Sequence, residues 1–144
     1  MYKGEPTKGI DFYNLLTESD EFTSELGKVT LASGKLESEL IILFKRSGIN
    51  GSYERSTLGT LIDYAEKNKL LDRNVIMALK TTSKQRNYIM HNIYALFTDL
   101  IGETILDKNN LLDSDVHLYF ERARQLNKNL NSLANIIKRT NETK

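Results

Sequence analysis

The sequence predicts an all-α fold: an antiparallel four-helix up-and-down bundle with a short extra helix at its amino-terminal end. Three observations carry this. Apolar residues recur at alternating spacings of three and four along four long segments, the period of a helix rather than of a strand. The single proline, Pro6, precedes all four, so none is interrupted by a residue without an amide donor. The links between segments are short, which favours antiparallel neighbours.

Residues 1–10 read as a flexible lead-in, 11–140 as one helical domain and 141–144 as a flexible tail. Phe12, Leu15 and Leu16 form the apolar group of the short extra helix. The first long helix covers about 20–47, with the stripe Phe22, Leu26, Val29, Leu36, Leu40 and Leu43. Gly48 stops it, because glycine tolerates the left-handed conformation after a last turn. The segment 49–56 holds Asn50-Gly51 and reads as a loop. The second helix spans about 57–68, capped by Ser56 or Thr57, and buries Leu58, Leu61, Ile62 and Ala65. The third begins near residue 72 and carries Val75, Ile76, Leu79, Ile89, Ile93 and Leu96 or Phe97. Gly102 and the cluster Asp107-Lys108-Asn109-Asn110 end it or follow its end. The fourth starts after a cap at Asp113 or Ser114 and lines its inner face with Val116, Tyr119, Ala123, Leu126, Leu130, Leu133 and Ile137. Over 94–112 the β-branched and aromatic content also permits a small hairpin.

Composition narrows the function classes. With 144 residues, 40% hydrophobic and 27% charged, the chain is globular rather than disordered. It has no cysteine, so disulfides, thiolate zinc sites and cysteine nucleophiles are excluded. The first ten residues are polar and no stretch reaches the length of a membrane span, so a cytoplasmic protein without a membrane partner is expected. The triplets at Asn50 and Asn141 are then chance matches to a glycosylation signal. A net charge of +1 means that nucleic-acid binding must come from a local patch. No G-x-x-x-x-G-K-[ST] loop, G-x-S-x-G elbow or H-E-x-x-H is present. Asp113-Ser114-Asp115 reads as a cap rather than a calcium loop, because the later ligands are missing. His117 reads as a surface residue in the first turn of the last helix. Neither a cofactor nor a metal is expected.

The informative segment runs over 80–94. At about 100° per residue, Lys80, Lys84, Asn87, His91, Tyr94 and Thr98 form one polar stripe. Arg86 lies elsewhere: Ile76, Leu79 and Ser83 precede it and Met90 and Ile93 follow it along one line. A charge within an apolar line needs a partner or an opening. Arg86 either snorkels or pairs with a carboxylate such as Glu37, Glu39 or Asp63, or it lines a cleft against a second subunit. In the second arrangement two copies supply two arginines and two histidines to one site.

Arg86-Asn87-Tyr88-Ile89-Met90-His91 resembles the motif of the HEPN superfamily: arginine, a polar residue that is often asparagine, three variable residues and histidine. Thr57-Leu58-Gly59-Thr60-Leu61-Ile62 is similar to segments that precede this motif in many members, so the resemblance covers residues from about 58 to the final helix. The HEPN toxins paired with nucleotidyltransferase antitoxins add a tyrosine two residues after the histidine; here Ile93 holds that position and Tyr94 follows it. The resemblance implies RNA cleavage without metal by a homodimer, in the setting of a toxin or antiphage effector, with a cognate antitoxin or regulator as a further partner. The residue types suit that chemistry. His91 is the catalytic proton carrier, since imidazole changes protonation near neutral pH. Arg86 is the catalytic phosphate holder. Asn87 and Tyr94 support them, and the candidates for binding single-stranded RNA are Lys80 and Lys84 by charge and Tyr88 or Tyr94 by stacking on an unpaired base. Arg86 and His91 point about 140° apart on an ideal helix, so a working pair needs a helix end near His91 or a second chain. A non-catalytic module that binds RNA, nucleotide or protein, and a helical dimerisation scaffold, are the alternatives.

Overall fold

The apolar spacing folds as helices. In the computed structural model, residues 2–7, 9–97 and 110–143 are described. The helices are α1 (Gly9–Glu18), α2 (Asp20–Arg46), α3 (Leu58–Lys67), α4 (Arg73–Asn87), α5 (Ile93–Phe97) and α6 (Val116–Glu142). A π turn, Tyr88–Asn92, joins α4 to α5. Among the described residues the strands are β1 (Pro6–Thr7) and β2 (Leu111–Leu112), which pair antiparallel with Pro6 opposite Leu112. The fold is therefore all-α, and α1 is the short extra helix. No described helix is long and apolar enough to cross a membrane. Thr98, Gly102 and Asp107-Lys108-Asn109, with most of the stretch where a hairpin was permitted, lie outside the described residues. The described end of that stretch, Leu111–Leu112, pairs with the amino-terminal strand instead.

Side-chain caps set the helix boundaries by satisfying amide donors that the first turn leaves open. The Ser19 hydroxyl accepts from the Phe22 amide at 3.1 Å, the Thr57 hydroxyl from Thr60 at 3.2 Å and the Asp72 carboxylate from Val75 at 2.9 Å. Gly48 ends α2 at φ +74°, and the Ile49 amide returns to the Phe44 carbonyl at 3.0 Å, the bond pattern of a left-handed helix stop.

The chain divides into two units, Met1–Val29 with Gln85–Leu126, and Thr30–Lys84 with Asn127–Lys144. The helices α2, α4 and α6 each give one stretch to each unit.

In the first unit Phe12 packs on Phe97 and Tyr119, with ring centroids 5.3 Å and 5.1 Å away. Leu16, Phe22, Val29, Leu96 and Ala123 are buried around them. The Asp113 carboxylate accepts the backbone amides of Lys3, Gly4 and Glu5 at 3.0, 2.7 and 3.1 Å. The Asp113 amide in turn donates to the Glu5 carbonyl at 2.7 Å. Asp113 therefore holds the amino-terminal segment, and the capping role falls to Asp115, which accepts from the Leu112 amide at 2.7 Å ahead of α6. Loss of water alone would raise the Asp113 carboxyl, but the amides of Lys3, Gly4 and Glu5 outweigh it and hold the group below its ordinary 3.8.

In the second unit Leu36, Leu40, Leu43, Leu58, Leu61, Leu79, Leu130 and Ile137 are fully buried. Phe44, Tyr53 and Tyr64 form an aromatic cluster. In the Asn50-Gly51 loop the Tyr53 hydroxyl donates to the Asn50 carbonyl at 2.8 Å, and a Cβ at Gly51 would lie 2.7 Å from the Tyr53 ring. Asn141, expected in a flexible tail, is buried inside α6. Its amide donates to the Glu39 carbonyl at 3.1 Å and to Glu39 Oε1 at 3.2 Å, and Arg46 donates to the Asn141 carbonyl. The same burial removes Asn141 as an accessible glycosylation site.

Candidate functional site

Arg86 and Asn87 end α4, and the π turn starts at the next residue. A π turn closes its hydrogen bond over one residue more than an α turn, so each step rotates less than in an α-helix. The burial of two side chains accounts for the widening. Tyr88 and Ile93 are five apart, which on an α-helix sets them about 140° from one another. Both are buried, at 8% and 9% exposure. Adding a residue to the turn lets both reach the core. The widened turn also lies between Arg86 and His91, and it reduces the angle between them. Short π segments of this kind concentrate at functional sites.

Arg86 is half-buried. Its Nη2 donates to Asn87 Oδ1 at 3.1 Å, and its buried Nε has no hydrogen-bond partner. Among the described residues of its own unit it makes no ion pair. Asn87 is half-buried and orients the guanidinium by accepting from it. His91 is exposed in the π turn. Tyr94 follows on α5 with its side chain 49% exposed, and its ring stands at 85° to that of Tyr13, centroid to centroid 4.9 Å. Arg86, Asn87, His91 and Tyr94 all belong to the first unit.

Other expected site residues stand differently. Tyr88 faces the core, so it does not present a ring to an unpaired base, and the stacking role expected of it is corrected by its burial. Lys80 and Lys84 are exposed but belong to the second unit. Lys80 is paired with Glu66 at 2.7 Å, which offsets its charge. His117 is exposed at the start of α6, 3.7 Å from Glu121 and against the Phe120 ring. A cleft of about 700 Å³ opens beside it, with Tyr2, Asp20, Glu21 and Asp113 also in its wall, and none of Arg86, Asn87, His91 or Tyr94 lines it. Among the described residues no three His, Asp or Glu side chains are gathered as a metal would need.

Two residues of this unit escaped the sequence reading. Glu25 is buried at 5% exposure, with Lys28 3.6 Å away, whereas Leu26, expected in the stripe, is only half-buried. The signal was present, since Phe22, Glu25 and Val29 follow helical spacing as Leu79, Ser83 and Arg86 do. Tyr13 had no such signal, because its role depends on a ring from another helix. No family model matches the chain, and neither a curated protein nor a solved structure matches it.

Proposed function

We propose that this chain is a metal-independent endoribonuclease of HEPN type, a cytoplasmic homodimer with a composite Arg86/His91 site, acting as a toxin or antiphage effector under a cognate antitoxin or regulator. The observation that carries this reading is Arg86. A half-buried guanidinium with no carboxylate partner among the described residues and an unpartnered Nε is poorly satisfied. An oxyanion with paired acceptors fits its planar fork, and a phosphodiester supplies one. A structural arginine in a helical scaffold would instead hold an acidic partner.

In the reaction the ribose 2′-oxygen attacks the adjacent phosphorus while the 5′-oxygen departs. One proton leaves the 2′-hydroxyl and one reaches the leaving oxygen. His91 carries protons and Arg86 steadies the charge on the non-bridging oxygens. One chain brings one imidazole of this kind, and the reaction uses a base and an acid, so a two-fold pair of chains completes the set. The test is cleavage of single-stranded RNA by purified protein in EDTA. His91→Ala is expected to slow cleavage by about 10²- to 10⁴-fold, and Arg86→Ala to do likewise. Cleavage that needs added metal, or that survives in both variants, overturns the reading.

A further inference from the structure

The cleft of about 700 Å³ lies wholly within the first unit, and neither Arg86 nor His91 lines it. Its volume is that of a small-molecule site. Two kinds of side chain build its wall. Leu15, Val116 and Phe120 supply apolar surface, and Leu15 and Phe120 are only half-buried, so part of that surface stays open. Tyr2 adds a ring that is 41% exposed. The place of that ring is fixed, because the Asp113 carboxylate accepts the amide of the next residue, Lys3, at 3.0 Å and holds Gly4 and Glu5 as well. Glu18, Asp20 and Glu21 supply the charge. All three are exposed, and among the described residues none is in an ion pair. Among the described residues no lysine or arginine lines the cleft; its basic group is His117, which lies 3.7 Å from Glu121.

We propose that this cleft binds a linear aliphatic polyamine, a chain of ammonium groups separated by methylenes. The chemistry follows from the wall. Its negative charge repels phosphate, so the ligand is not the RNA of the proposed nuclease, and the inference stands apart from that reading. A compact metal ion is not served either, since among the described residues no three of these acidic groups gather as one would need. Charge spread along a wall suits a cation that is itself spread out. The ammonium groups donate to Glu18, Asp20 and Glu21. The methylenes between them lie against Leu15, Val116 and Phe120, as the stem of a lysine lies on apolar surface. An ammonium at the Tyr2 ring adds a cation–π contact. Asp113, already engaged by three amides, is a positioning residue that acts through Tyr2.

The experiment is calorimetric titration of the full chain with spermidine, at near-physiological salt and without RNA. Saturable binding is expected, and magnesium at equal total charge should not displace it. Glu18→Gln, Asp20→Asn and Glu21→Gln made together should weaken binding roughly 3- to 100-fold. Tyr2→Ala should weaken it about 2- to 5-fold, and Tyr2→Phe should restore it. Because the chain has no tryptophan, Tyr2→Trp places a single reporter in the wall. Its emission should change with the same midpoint as the heat. Circular dichroism of each variant controls for the fold. Absence of saturable binding, displacement by magnesium, or a folded triple variant that binds as its parent does overturns the proposal. Should the triple variant not fold, the Tyr2→Trp protein still decides. Emission that stays constant while the heat saturates puts the polyamine elsewhere and overturns the cleft.

Discussion

Glu25 and Arg86 occupy positions that helical spacing assigns to apolar side chains, and both lie in the same unit. A charge in such a place is retained for what it does, because apolar substitutes of similar size are often neutral or stabilising. Arg86 lends itself to a direct test. Arg86→Met keeps the length of the side chain and removes the unpartnered donor. Its thermal midpoint is expected to equal or exceed that of the wild type, by up to about 1–3 kcal/mol in stability, while RNA cleavage is lost. A large drop in the midpoint would make Arg86 a structural residue. Gly51 is a contrasting case in the second unit, where the constraint is steric. Gly51→Ala pushes a methyl group against the Tyr53 ring and is expected to destabilise by about 1–3 kcal/mol, read from a urea midpoint. An unchanged midpoint would mean that the loop yields freely.

At the level of elements, helix boundaries follow from local chemistry, and the exceptions come from distant partners. Thr57 and Gly48 act where their residue types suggest, one as an acceptor for open amides and the other as a left-handed stop. Asp113 departs from that pattern. Its position suggested a helix cap, yet it accepts three amides from the amino-terminal segment, which is remote in sequence and whose sequence carries no sign of the pairing. This gives a pH dependence with a definite sign. The folded carboxyl lies below 3.8. Its contribution is therefore present above the unfolded value and is lost as pH falls through the folded one. The stability gap between wild-type protein and Asp113→Asn should be constant near neutrality and should close below about pH 4. Thermal melts at a series of pH values measure it, and a gap unchanged down to pH 2 would refute the assignment.

Scale also matters for the whole molecule. A chain of 16.5 kDa with a net charge of +1 has no net excess of charge to hold RNA, so binding would need a local basic patch. Under the proposed function, recognition would fall to a few placed groups, and a two-fold dimer would double them. Light scattering at working concentration is expected to give a mass twice that of the chain. Mixing Arg86→Ala with His91→Ala subunits should restore part of the activity if each site draws on both chains. A monomer that still cleaves RNA would remove the need for a composite site.

Apolar periodicity by itself determined the all-α class, the four long helical segments and most of the buried positions, because burying a helix face demands side chains three and four apart. It also marked Arg86, whose charge interrupts that spacing. The tertiary structure alone decided that Tyr88 and Ile93 both turn inward. That choice widens the helix into a π turn, exposes His91 in it, withdraws Tyr88 from the surface and leaves Tyr94 beside Tyr13. These outcomes depend on which side chains share a core, a relation between distant residues that no local pattern carries.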